Sequence, residues 1–490
     1  MSSHDDNTTE RQHYGLTFAV LALAGVTFSL LQSLVAPALP ELQRDLHASP
    51  TAAAWVLTAY LLSASILTPI VGRLGDMFGK EHTLVAALGV LAAGTLLAAL
   101  ANDIDVLIAA RVIQGGGGAI FPLAFGIIRD EFPRERVAQG IALISAILGI
   151  GGGLGIVLAG PIVDALSVHW LFWFPLALVV VATVATVLFV PESPIKSPGR
   201  VNWLGALLLS GWLVCLLVAI SEGPTWGWRD ARTVALFAGA LLLVVTWVVA
   251  ESRAAEPLVD MAMMRIRGVW TVNAAAFLVG AGMYSSFILL PEFTEMPRAA
   301  GYGFHASVTQ AGVFLLPSTV AMLLVSPLAG RLAGRVGSRL PLILGSLLAG
   351  VAFALLCVAH HQRWEMYVAS AILGAGIGLA FASLANLIVE AVRPDQTGVA
   401  TGMNTVMRTV GGSVGGQIVA SILAGTVVAG ALPTEHGFTV AFAVAAVACG
   451  LAALASLAVP RSAPAAAPGR SVRPLGARAV REDVEDRVGA

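Results

Sequence analysis

PIVGRLGDMFGK, Pro69 to Lys80, closes a long apolar run with Arg73, Asp76 and Lys80, and PLAGRLAGRVGS repeats its outline from Pro327 to Ser338. The shared frame is P-x-x-G-R-L with a glycine five residues further on, and the two copies start 258 residues apart. Proline and glycine punctuate helix ends in many chains, so one copy alone would carry little weight. Two copies, each closing the second apolar run of a set of six, point to a duplicated unit.

Composition sets the solvent in which that unit folds. Of 490 residues, 57% are hydrophobic and 12% charged, with a mean hydropathy of +0.85. A soluble chain of this length needs more charge to cover its surface, so the bilayer is the expected solvent. A net charge of −1 with dispersed Lys and Arg excludes a nucleic-acid stripe. Cys215, Cys357 and Cys449 stand far apart within apolar runs, as packing thiols and not as a disulfide or zinc framework. The first apolar run lacks a basic start and a small-residue cleavage site, and reads as a retained helix.

Runs of roughly 20 apolar residues, the length a spanning helix needs, number fourteen between residues 15 and 459. The expected fold is therefore an all-α integral membrane protein of fourteen transmembrane helices, built from two six-helix repeats and two inserted central helices. Its parts are a segment at 1–14, a first half at 15–190, a linker with helices seven and eight at 191–268, a second half at 269–459 and a disordered tail at 460–490. Lys and Arg concentrate in the loops after even-numbered helices, including Arg73, Arg129, Arg200, Arg331 and Arg393. By the positive-inside rule those loops and both termini are cytoplasmic.

Three stretches, in order, carry a family resemblance. Gly72 to Lys80 resembles the loop signature between helices 2 and 3 of the major facilitator superfamily. RVIQGGGGA, Arg111 to Ala119, is similar to its helix-4 Arg-x-x-Gln-Gly motif, and GIGGGLG, Gly149 to Gly155, with Gly160 is similar to the helix-5 motif of its antiporters. With fourteen spans, the chain resembles the fourteen-helix drug:proton antiporters over about residues 15–459. The match departs in two places. An acid expected in helix 1 falls at Leu31, and the usual Gly-Pro pair of helix 5 reads Gly155-Ile156.

The resemblance implies a conformational latch of Gly72, Arg73, Asp76, Gly79 and Lys80, echoed by Gly330 and Arg331. Asp76 is expected in a turn before helix 3, beside helix N-terminal amides and Arg73 or Lys80, as a latch or as a solvated loop pair. Arg111, inside helix 4, needs a cavity, a partner or the membrane edge. Arg408 in helix 13 either serves the site with Asn404 one turn away or snorkels to the surface. Among the scarce membrane carboxylates, Asp164 is the first choice for proton coupling, with Arg111 and Arg408 beside it in that role. Gly151, Gly155 and Gly160 are the helix-5 glycines.

Polar and aromatic residues at helix positions suggest a substrate cavity lined by Gln32, Ser33, Trp55, Tyr60, Asn273, Tyr284 and Asn386. Such a lining suits an amphipathic apolar molecule or a lipophilic cation. No catalytic constellation, cofactor motif or metal set is expected, and His360-His361 lacks a spaced partner in the sequence. The function read from these features is proton-coupled efflux of small amphipathic molecules by a monomer in a bacterial cell membrane. A carrier for one metabolite or a self-made antibiotic, or a sensor on a transporter scaffold, are the alternatives.

Overall fold

The computed structural model describes residues 14–427 and 432–460, apart from 194, 197–198 and 298–299; the side chains of 40, 50, 51, 54, 164 and 308 are also not described. The tail expected to be disordered therefore lies almost wholly outside the described residues. Fourteen long helices follow one another. In the first half they are α1 (Tyr14–Ser33), α2 (Pro50–Phe78), α3 (Lys80–Ala99), α4 (Ile104–Glu131), α5 (Arg134–Ala165) and α6 (Trp170–Phe189). The inserted pair is α7 (Trp203–Trp226) and α8 (Ala231–Arg253). The second half holds α9 (Arg267–Glu295), α10 (Val308–Val336), α11 (Arg339–Val358), α12 (Arg363–Ala391), α13 (Thr397–Gly425) and α14 (Glu435–Leu457).

Thirteen of the fourteen are long and apolar enough to cross a membrane. The exception is α13, whose sequence TGMNTVMRTVGGSVGG is rich in Gly and Thr. That composition suits a helix that meets other helices more than lipid, since small residues let backbones approach. Among the described residues, the helices of the first half share one hydrophobic cluster and those of the second half, with α7, share another. The inserted helix α8 packs mainly on α7, where Trp212 and Trp247 lie 6.1 Å apart, and presents Leu241, Leu242 and Val245 outward.

Both copies of the repeated stretch end a long helix in the same way. Gly79 and Gly337 close α2 and α10 with φ of 115° and 85°, a region costly for any residue with a β-carbon. The second helix of each half therefore extends beyond its apolar run, and Asp76 sits in its last turn instead of in the loop expected from the sequence. The helix continues because Gly72 and Gly75 let it pass close to its neighbours: a β-carbon on Gly72 would stand 2.5 Å from the Gly398 carbonyl oxygen of α13.

α4 is interrupted by a 3-10 turn at Gly115–Ala119. Its four glycines allow backbone-close packing on α2 and α3, with a β-carbon on Gly115 only 2.6 Å from the Ala64 nitrogen. The helix-5 glycines likewise serve as packing surface. Gly151 and Gly155 face Ser29 and Ser33 of α1, Gly153 and Gly160 face Thr319 and Thr309 of α10, and Ser33 Oγ donates to the Gly151 carbonyl at 3.0 Å.

Candidate functional site

At the end of the bundle where α2 finishes, the two halves are joined by a buried carboxylate. The first turn of α13 leaves backbone N–H groups without intrahelical partners, and its N-cap residue Gln396 supplies no side-chain cap. Asp76, 0% exposed, comes from α2 and accepts both: Gly398 N donates to Oδ1 and Val399 N to Oδ2, each at 3.0 Å. A carboxylate on a helix N-terminus is stabilised by the amides and by the helix dipole. Arg129 of α4 ties the same joint, donating to Thr397 Oγ1 at 2.7 Å and to the Val392 and Arg393 carbonyls at 2.9 and 3.4 Å.

The other residues expected to form the latch have separate partners. Lys80 pairs with Asp130 at 2.7 Å, both almost fully buried, and with Ser193, so it braces α3 against α4 and the following linker and does not meet Asp76 directly. Arg73 lies near the 191–268 linker. In the second copy Gly330 approaches Gln139 of α5, where a β-carbon would come within 2.7 Å of its Cα, and Arg331 is exposed.

Further along the bundle, α2 and α13 diverge around a cavity of about 490 Å³. Helices α1, α2, α4, α5, α7, α9 and α13 line it. Of the expected substrate residues, Gln32, Ser33, Tyr60 and Tyr284 do line it. Trp55, Asn273 and Asn386 are placed elsewhere. Asn273 accepts a hydrogen bond from Asn404 Nδ2 at 2.9 Å between α9 and α13, and Asn386 Nδ2 donates to the Ala138 carbonyl at 3.2 Å between α12 and α5. Both amides make helix-helix contacts, a use that a linear sequence does not distinguish from ligand binding.

Both arginines assigned to proton coupling reach this cavity. Arg111 is fully buried; its Nε donates to the Val56 carbonyl at 3.0 Å and its Nη1 to the Leu31 carbonyl at 3.1 Å and to Gln114 Oε1 at 2.8 Å. Its guanidinium stacks 4.1 Å from the centre of the Tyr60 ring. Leu31, standing where the family pattern has an acid, thus offers Arg111 only a backbone oxygen. Arg408 lies 4.5 Å from the Phe381 ring centre and shares the cavity wall with Tyr284 and Gln32. No carboxylate among the described residues lines the cavity, which disfavours the lipophilic cation expected from the aromatic content. Asp164 lies on α5, and its side chain is outside the described residues.

Two features escaped the sequence reading. The inserted α7 contributes Leu217, Ile220 and Ser221 to the wall, with Ser221 Oγ 3.4 Å from Thr58 Oγ1 of α2. It packs against both α2 and α13 and so closes the cavity wall between them. At the opposite end from the latch, His360 and His361 meet Glu435 at 2.9 and 3.5 Å, a carboxylate 75 residues from His360 and so invisible as a partner in the sequence.

The model of the Major Facilitator Superfamily matches residues 21–416. A multidrug transporter protein of Bacillus subtilis, MdtP, is 29% identical over 379 residues, covering 76% of this chain and 69% of its own. The tetracenomycin C resistance and export protein of Streptomyces glaucescens is 28% identical, covering 78% and 71%. The crystal structure of the human organic anion transporter MFSD10 superposes with a TM-score of 0.66 at 17% identity, over 91% of this chain and 99% of that one, a likeness of fold. With two helical halves around one cavity and a family match across most of its length, the chain belongs to the Major Facilitator Superfamily of multi-pass membrane transporters.

Proposed function

We propose that the chain exports amphipathic small molecules by alternating access in exchange for protons, as a monomer in a bacterial cell membrane. The latch end and both termini face the cytoplasm in this reading. The carrying observation is a cavity of about 490 Å³ lined from both halves, bounded at one end by a joint that Asp76 makes across them. A joint built from one carboxylate and two backbone amides that lack intrahelical partners can open and close as a unit, which is what a transporter needs of the gate beside its site.

Drug-like cargo is supported by the resistance and export relatives and by a wall that is mostly apolar with a few polar groups. Among the described residues the cavity has no titratable acid, so a proton-coupling group is sought outside it, with Asp164 on α5 as the first residue to replace. The domain division at 190, 268 and 459 belongs to the same reading: the halves move, and α7 with α8 travel between them.

Proteoliposomes carrying the purified chain, with an imposed pH gradient and fluorescent amphipathic dyes, test the reading. Gradient-driven dye movement that is lost in Asp76→Asn and loses its gradient dependence in Asp164→Asn is the expected result. Dye movement indifferent to the gradient would remove the proton. Folded protein that moves no dye would leave the dedicated carrier or the sensor.

A further inference from the structure

Arg111 and Arg408 enter one cavity from opposite halves, and among the described residues neither meets a carboxylate there. Around Arg111 the protein offers only neutral acceptors, and its Nη2 has no partner at all although the residue is 0% exposed. Ser29 Oγ and Tyr60 Oη, both on the cavity wall and both buried, are also without partners. All three atoms can donate a hydrogen bond. Buried donors without acceptors are costly, more so when charged, and three from the wall of one cavity call for an acceptor that comes from outside.

On the cavity wall the Tyr60 face is already taken by Arg111, whereas Arg408 stacks on Phe381 outside the lining, so the rings left on the wall are Tyr284 and Phe287. Two positive charges in a low-dielectric space repel a third and attract an anion, and guanidinium groups match carboxylate or sulfonate geometry in two-pronged fashion.

We propose that the cavity binds amphipathic anions: a carboxylate or sulfonate against Arg111 and Arg408, with an apolar body against Leu57, Ile156, Met283 and Phe287. This names the substrate class of the export reading and rests on it for direction alone. It also gives meaning to Leu31. An acid at that position would pair with Arg111 and cancel the charge; a leucine leaves it for the cargo. The membrane potential then assists export, because a negative charge expelled from an inside-negative cell moves down that potential.

The test uses the full chain in lipid nanodiscs and two dyes on one xanthene skeleton, anionic fluorescein and a cationic rhodamine methyl ester, with binding read by fluorescence anisotropy. Fluorescein is expected to bind at least about tenfold more tightly. Arg408→Gln should erase that preference and Arg408→Lys should keep most of it, and because Arg408 makes no hydrogen bond or ion pair within the described residues, both variants are expected to fold. Equal or tighter binding of the cation overturns the proposal, as does a preference unchanged in Arg408→Gln or folded protein that binds neither dye. Transport is judged apart, by dye movement in proteoliposomes. A cation moved and an anion refused keeps export and removes the anion site; an anion bound but never moved keeps the site and removes export.

Discussion

The chain joins its halves along two seams related by the internal duplication, and they are not equally built. In the first, α2 meets α13; in the second, α10 meets α5. Glycine brings the helices together in both, Gly72 on Gly398 and Gly330 on Gln139, and both repeated stretches end on a glycine of positive φ. The polar chemistry differs. The first seam has Asp76 on two backbone amides and three bonds from Arg129, whereas the second has Asn386 donating to the Ala138 carbonyl. The brace behind each seam follows suit: Lys80 and Asp130 form a buried ion pair, and Ser338 Oγ donates to Glu390 at 3.0 Å in its place. Duplication has preserved the close approach of helices, and charge has been concentrated on one copy. In the proposed reading the charged seam is the place where the gate is held or released, and the other serves as a packed bearing.

The most damaging break is Gly72→Val. With a β-carbon already 2.5 Å from a backbone oxygen, a branched side chain separates α2 from α13 and destabilises the fold by about 3 kcal/mol, the upper range for overpacking. Thermal unfolding of the purified variant should show it. Unaltered stability would mean that the two helices are not in contact in the resting protein.

Asp76→Asn comes next. The shape is kept, but a carboxylate that accepts two N–H bonds is replaced by an amide that can accept with only one of its two heads. A stability loss of about 1–2 kcal/mol is expected, the scale of a lost helix cap, with dye transport in proteoliposomes falling at least about tenfold. Transport at the unaltered rate would remove the latch. Asn386→Ala, the corresponding cut in the second seam, loses one neutral hydrogen bond worth about 1 kcal/mol and should leave transport nearly intact.

The sequence made the scaffold legible and the seams only in part. Thirteen of the expected apolar runs, the repeated stretch and the helix-5 glycines announce themselves through composition and period. The partners of Asp76 lie 322 and 323 residues away and are backbone groups, which carry no residue identity for a sequence to display. Arg111 and Arg408 were visible as costly membrane charges, yet their convergence on one cavity depends on how α4 and α13 are rotated in the bundle. Placing α7 in the wall likewise needed the third dimension. Its residues Leu217 and Ile220 read as ordinary span.

The smallest effect sharpens the comparison most. Gly334 occupies the place in the second repeat that Asp76 occupies in the first, and a β-carbon there would have nothing within 4 Å. Gly334→Asp restores the missing acid, so a pair of equivalent gates would gain a second latch and unfold later. The seam geometry argues against any gain. Gly72 meets the second residue of α13, where N–H groups are still unpaired, but Gly330 meets Gln139, six residues into α5, where the N–H groups already serve the helix itself. A carboxylate added at 334 has no amides to accept, and the expected change is within about 0.5 kcal/mol, as for a surface substitution. Stabilisation by about 1 kcal/mol or more in thermal unfolding would show that the second seam can also be capped, and the asymmetry between gate and bearing would then lie in the side chains alone and not in the register of the helices.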